Sequence, residues 1–206
     1  MLFDLDGVLV DSEGIYSQFW GMTGDRYGKP ADFNNSIKGS PLVEILSHFP
    51  EGDREKIAGE LHDFEGRMEF RVYPGVAEFL AALKEGGIPS VIVTSSDNAK
   101  MECLFAQHPE IRDAVSHIVT ADMVTRGKPD PECFHLGARL AGAAPEDCVV
   151  FEDSLNGLKA ARASGGKVVG VATTNPRETV GEYSDTVIEG FEGLTPAALL
   201  ARLGME

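Results

Sequence analysis

The stretch "DCVVFEDSLNGLKAARASGGKVVGVATT" (147–174) decides the fold of this 206-residue chain. It contains two short apolar runs, 147–153 and 167–174, rich in valine and without polar alternation, as expected of strands buried on both faces. Between them "LNGLKAARASG" reads as a helix, with Ser154 as a candidate N-cap and with Glu152 and Asp153 loading the positive end of the helix dipole. Strand, helix and strand in this order make a parallel crossover unit, because parallel neighbours cannot be joined by a tight turn.

The same alternation extends outward in both directions. "SVIVTSS" (90–96), "SHIVTA" (116–121) and the N-terminal "MLFDLD" (1–6) read as further buried strands. "GVAEFLAALKEGG" (75–87) places Val76, Phe79, Leu80 and Leu83 at helical spacing and stops at Gly86 and Gly87. "DPECFHLGARLAGA" (130–143) is expected to start with Asp130 as N-cap and Pro131 at the first helical position. The expected class is therefore α/β, a doubly wound parallel, Rossmann-like sheet. The interval 14–73 breaks the pattern. It offers helical pieces such as "SPLVEILSHF" and "REKIAGELHDFEGRMEF" but no buried strand, and the chain returns at "YPG" (73–75). Residues 1–13 and 74–206 are thus expected to form the core, with 14–73 inserted as a helical cap.

Composition narrows the partners. With 33 acidic against 18 basic side chains the formal net charge is −15, which disfavours a nucleic-acid partner. An anionic small substrate would need a local cation to be held against that field. No apolar stretch has the length of a membrane span, and no basic-then-apolar leader opens the chain, so a cytoplasmic protein with no membrane partner is expected. Cys103, Cys133 and Cys148 are odd in number and far apart, which suits reduced structural thiols. The oligomeric state is not legible, and a monomer is the default.

Open parallel sheets bind ligands at the C-terminal ends of their strands, so the polar residues there can be collected. Asp4 and Asp6 end the first strand; Thr94, Ser95 and Ser96 end the second; Glu152 and Asp153 end "VVFED"; Lys128 sits in "RGKPDP", on a loop before a helix. Each alone has a plainer reading: a D-G turn, a helix cap, a solvated lysine, acids at a helix N-terminus. Together they supply oxygens for a hard divalent cation, a hydroxyl and an ammonium, the set that phosphoryl transfer to a carboxylate nucleophile needs. Asp4 and Asp6, two apart in an extended strand, can address one substrate from the same side.

The order D-x-D-G, an apolar strand ending in Thr/Ser, Lys-Pro before a helix, and E-D-S-x-x-G resembles the haloacid-dehalogenase superfamily, in its phosphatase and phosphomutase members with a helical cap. The resemblance covers nearly the whole chain. It implies that Asp4 attacks phosphorus, that Asp6 protonates the leaving oxygen and then activates water, and that Thr94, Ser95 and Lys128 hold the phosphoryl group. It also implies Mg²⁺ on Asp4, the backbone carbonyl of Asp6 and Asp153, with Glu152 in or beside the shell, and a substrate contact from Lys38 of the cap. Dehalogenases lack the second acid, so Asp6 points to an oxygen leaving group. The β-phosphoglucomutase type carries a histidine where this chain has Tyr16 and an arginine where it has Leu42. The expectation is a phosphatase acting through an aspartyl-phosphate on a small phosphorylated metabolite, a sugar or sugar-acid phosphate, with a phosphomutase as the alternative. A phospho-acceptor receiver domain uses similar groups, but its phosphorylated aspartate ends a mid-chain strand and it has no such insertion.

Overall fold

The structure, a computed structural model, describes residues 1–37 and 40–205, so the expectation placed on Lys38 lies outside the described residues. The chain begins with β1 (Leu2–Phe3), leaves it through β2 (Val10–Asp11), and passes through α1 (Glu13–Arg26), α2 (Phe33–Ser36), α3 (Leu42–Ser47) and α4 (Glu51–Glu65). It returns through β3 (Arg71–Val72). Then α5 (Val76–Glu85), β4 (Val91–Val93), α6 (Asn98–Gln107), α7 (Pro109–Ala114) and β5 (His117–Val119) follow. The last part runs α8 (Glu132–Leu140), β6 (Val149–Glu152), α9 (Leu155–Ser164), β7 (Lys167–Val171), α10 (Arg177–Gly181), β8 (Thr186–Ile188) and α11 (Pro196–Leu203).

Six strands form one parallel sheet in the order β5-β4-β1-β6-β7-β8, the expected doubly wound class. From β1 the chain builds outward to β4 and β5, then crosses to build β6, β7 and β8 on the other side. The order therefore reverses at β1, and the crevice above its C-terminal end is the natural ligand position.

Alternation along the strands sorts the apolar residues into two layers. Leu2, Val91 and Val150 are in register and join Phe134 of α8 and Leu158 of α9 on one face. Phe3, Ile92 and Phe151 share the other face with Phe79 of α5 and Phe191. Phe3 stacks on Phe151 with ring centroids 4.4 Å apart, and Phe79 meets Phe3 edge-on at 6.3 Å. Each such ring, fully buried, contributes about 1.5–3 kcal/mol. This layer fixes β1 in the middle of the sheet.

Two details differ from the reading of the sequence. The strands end earlier than their apolar runs, because the polar residues after Val93, Val119 and Glu152 turn away into loops. Helix α8 starts at Glu132 rather than Pro131; Asp130 instead accepts the Glu132 N–H at 3.0 Å from two residues back. Ser154 caps α9 as expected, accepting the Gly157 N–H. All three cysteines are free thiols. Among the described residues no helix is long and apolar enough to cross a membrane.

Helices α1–α4 surround an apolar cluster of their own, with Phe19, Trp20, Phe33, Phe49, Ile57 and Leu61 inside. Their two ends are tied together. Val10 pairs with Val72 and Asp11 with Arg71 in an antiparallel ladder, and Tyr73 donates to the Leu9 carbonyl.

Candidate active site

Beyond Phe3 the chain stays in the sheet for one more residue, Asp4, whose N–H donates to the Phe151 carbonyl at 3.0 Å. It then turns. The Leu5 carbonyl accepts the Leu9 and Val10 N–H groups, and Gly7 takes a left-handed conformation with φ of 79°. A Cβ at Gly7 would lie 2.1 Å from an Asp153 oxygen, so glycine alone permits the turn to pass beneath that carboxylate.

Strand ends, and the loop before α8, bring the other groups to the same place. The Lys128 ammonium donates to Asp4 Oδ1 at 2.5 Å, to Glu152 Oε1 at 2.6 Å and to the Val93 carbonyl at 3.1 Å. Glu152 Oε2 accepts from the backbone N–H groups of Asp153 and Ser154, each at 3.0 Å, and from the Ser154 hydroxyl. Both Glu152 oxygens are therefore engaged, and the side chain is wholly buried behind the cavity wall. Gly157 makes room for it, since a Cβ there would lie 1.8 Å from Glu152 Oε1. Asp153 Oδ2 accepts the Thr174 hydroxyl and its backbone carbonyl accepts Asn175 Nδ2, whereas Asp153 Oδ1 is buried with no hydrogen-bond partner among the described residues.

Asp4, Glu152 and Asp153 each offer an oxygen within 4.8 Å of the others, and all three are buried. Fully ionised, the three carboxylates would exceed the one Lys128 ammonium by two negative charges, and the proton affinities respond to that. Burial raises the Asp4 carboxyl to about 7; Lys128 opposes that rise, while Glu152 and Asp6 add to it. Burial also pushes Asp153 well above the usual range, reinforced by Glu152 and Asp4. Lys128 is disfavoured by burial, but Asp4 and Glu152 outweigh this and hold it firmly protonated. A buried surplus of this size, with one orphaned carboxylate oxygen, fits a hard divalent cation.

Asp6 points elsewhere. Its two oxygens take the Lys100 ammonium at 2.6 and 2.5 Å, and they accept the hydroxyls of Ser12 and Ser96. Burial alone would raise its pKa; Lys100 and the hydroxyls reverse that and hold it below the ordinary carboxylate value. Lys100 itself is buried, stands 4.4 Å from the centre of the Tyr16 ring, and belongs to a helix capped by Asp97. Tyr16 in turn donates to Glu65 Oε1 at 2.6 Å.

These groups line one cavity of about 470 Å³ between the sheet edge and α1–α4. Asp4, Asp6, Thr94, Ser95, Lys128 and Asp153, all expected at the site, line it together; Glu152 sits just behind. Thr94 is buried and its hydroxyl oxygen accepts the Ser96 N–H at 3.0 Å. Reading the sequence did not find Lys100, Ser12, Thr174 or Asn175. The last two follow the apolar run of β7, so the strand-end rule itself would have flagged them.

The family model for haloacid dehalogenase-like hydrolases matches residues 1–165. The chain belongs to this family. Hexitol phosphatase A of Escherichia coli is 34% identical over 206 residues, covering 94% of this chain and 92% of that protein. The phosphorylated carbohydrates phosphatase of Thermotoga maritima is 33% identical over 178 residues, covering 80% and 81% of the two chains. The crystal structure of CbbY from Rhodobacter sphaeroides in complex with phosphate matches the fold with a TM-score of 0.79 at 25% identity, over 96% of this chain and 97% of that one. This haloacid dehalogenase-like hydrolase is a phosphoric monoester hydrolase.

Proposed function

We propose that the chain is a Mg²⁺-dependent phosphatase that hydrolyses a small sugar or sugar-alcohol monophosphate through an aspartyl-phosphate on Asp4. The carrying observation is the Lys128 ammonium held between Asp4 and Glu152 beside the orphaned Asp153 oxygen, at the sheet's reversal point. Residues 1–13 and 74–206 act as the core that carries the chemistry, and 14–73 as the cap that selects the substrate.

In this reading an Asp4 oxygen attacks phosphorus as the ester P–O bond breaks, and Asp6 gives a proton to the leaving oxygen. Water then attacks the phosphoryl group, Asp6 takes its proton, and phosphate leaves with Asp4 restored. Lys100 keeps Asp6 ionised in the free enzyme, and the arriving phosphate dianion raises its proton affinity, as the acid step requires. Lys128, Thr94 and Ser95 hold the phosphoryl oxygens. Asp4, Asp153 and the Asp6 backbone carbonyl would hold Mg²⁺, which supplies electrostatic stabilisation of the phosphoryl oxygens when bound. Glu152 fixes Lys128 from behind.

A neutral polyol portion suits the cavity. Asn34, Asn35 and Glu65 offer it hydrogen bonds and Trp20 and Leu61 an apolar wall, and the described lining cations, Lys100 and Lys128, are both committed to carboxylates. The similarity to carbohydrate phosphatases supports the same class. Against a phosphomutase, the Tyr16 hydroxyl is committed to Glu65, and Leu42 gives the wall an apolar group where that type has an arginine.

The test is phosphate release from a panel of hexose, hexitol, sugar-acid and nucleoside monophosphates, with Mg²⁺ and with a chelator. Release confined to Mg²⁺ and strongest for neutral sugar or polyol phosphates is expected. β-Glucose 1-phosphate supplied with a trace of bisphosphate and converted to glucose 6-phosphate faster than phosphate appears would establish the mutase instead.

A further inference from the structure

Lys100 has so far entered only through its charge beside Asp6, yet it is 3% exposed at a cavity wall, and its placement asks for more. A lysine at such a position usually reaches water with its ammonium. Here the ammonium spends two of its three protons on the two oxygens of one carboxylate, Asp6, and its remaining side faces the Tyr16 ring. Both of its side-chain hydrogen bonds thus go to one residue. The grip on both oxygens, completed by Ser12 on one and Ser96 on the other, fixes the rotation of the carboxylate plane as well as its place, while either hydroxyl can turn from donor to acceptor and yield its site to a proton. Three of these partners come from different stretches of chain: Ser12 before α1, Ser96 after β4, and Lys100 in α6. Through Tyr16 and Glu65 the same array reaches α1 and α4, which lie over the cavity.

We propose that Lys100 is a positioning residue for Asp6, holding its carboxylate in the orientation needed for proton transfer and tying that orientation to the seating of α1 and α4. The inference rests on the acid–base role given to Asp6 above. Orientation errors of an ångström or less in an acid–base group are costly, and an unrestrained carboxylate beside a charged substrate would turn away from it.

The test compares p-nitrophenyl phosphate, whose leaving group departs without a proton, with phenyl phosphate, whose leaving group needs one. Both are measured with Mg²⁺ on the full chain and on Lys100→Met, Lys100→Arg, Asp6→Asn and the double variant Asp6→Asn/Lys100→Met. Lys100→Met is expected to lower kcat/KM about tenfold or more on phenyl phosphate and less than about threefold on p-nitrophenyl phosphate, with kcat rather than KM carrying the loss. Lys100→Arg restores most of the rate. The double variant is no slower than Asp6→Asn alone, because a residue acting only through Asp6 has nothing left to act on. That variant also leaves no unpaired buried charge, so it stays measurable if Lys100→Met folds poorly.

Losses that multiply in the double variant, or a raised KM with kcat unchanged on both esters, would place Lys100 on the substrate and overturn the proposal. Asp6→Asn retaining full kcat/KM on phenyl phosphate would remove the acid role of Asp6 itself, a separate failure that the single variant reports by itself.

Discussion

Lys128 and Lys100 each grip one of two aspartates only two residues apart, and the two grips teach different things. Around Lys128 one ammonium faces Asp4, Glu152 and the neighbouring Asp153, all buried, so negative charge is in surplus. Around Lys100 one ammonium faces one carboxylate whose other needs are met by hydroxyls, so charge is balanced. The first arrangement has negative charge left over, which suits the cation proposed for it. The second is complete as it stands. A surplus marks where ligands go, and a balanced pair marks a group being held.

The largest effect should come from Asp4→Asn, which keeps the shape of the side chain but removes the proposed nucleophile. Turnover of any monoester should fall at least about 10³-fold while the circular dichroism spectrum is unchanged. Residual multiple turnover near the parent rate would break the contrast, since Asp4 would then be a structural acid like Glu152.

Next comes Lys128→Met. It leaves three buried carboxylates without their ammonium, and in chelator it should cost about 3 kcal/mol or more of unfolding free energy, measured by urea titration. Mg²⁺ should recover more stability in this variant than in the parent. The same substitution at Lys100 strands only one carboxylate, a third of it open to solvent, and should cost less.

The two sites should also differ in the sign of their pH dependence. Asp4 has a folded-state value of about 7 against 3.8 for the free side chain, so the fold binds a proton that the unfolded chain releases. Its contribution to stability is present at low pH and lost as pH rises from about 4 through about 7. Asp153 acts in the same direction. Asp6 is held below 3.8, so its contribution is present above that value and lost only in acid. Without metal the melting temperature should therefore fall between pH 5 and pH 8, on the order of the range those shifts span, and Mg²⁺ should flatten the slope. An Asp6→Asn variant should keep the slope. A metal-free melting temperature rising over this range would contradict the surplus at Lys128.

The smallest effect is expected for Ser12→Ala. It removes one neutral donor from Asp6, a loss of about 1 kcal/mol, read as a roughly fivefold lower kcat on phenyl phosphate with little change in KM. An effect as large as that of Lys100→Met would show that the hydroxyls, rather than the ammonium, set the carboxylate.

The difference between the two lysines also explains what could be read from the sequence. Asp4, Thr94, Glu152 and Asp153 each follow or end an apolar run, and parallel strands carry their C-terminal ends to one edge, so a one-dimensional pattern already locates them; Lys128, on the loop before α8, is marked by the Lys-Pro of the family resemblance. Lys100 sits in a mixed helix, "NAKMECLFAQ", where lysine ordinarily faces solvent. Its burial depends on Asp6, 94 residues away in the chain. A signal was nevertheless there: Lys100, Met101 and Leu104 share the buried stripe of α6, so the lysine occupies an apolar face and must have a partner. The short strands β2, β3 and β8 were illegible for another reason. β1, β4 and β5 are as short but lie in runs the sequence marks as apolar, whereas "VD", "RV" and "TVI" include or adjoin charged residues and only pairing with distant chain makes them strands.

That small ladder between β2 and β3 bears on how such a chain can change over generations. Val10 and Val72 are neighbours, so the excursion through α1–α4 leaves and re-enters the sheet at a single knot of hydrogen bonds. Closing a loop whose ends already touch grows costlier only with the logarithm of its length. Residues between the two strands can be lengthened, shortened or recast without altering the two-residue step that separates Asp4 from Asp6. Apart from Ser12, Tyr16 and Glu65, which reach back to Asp6 and Lys100, the excursion can be redrawn while the sheet edge keeps its geometry.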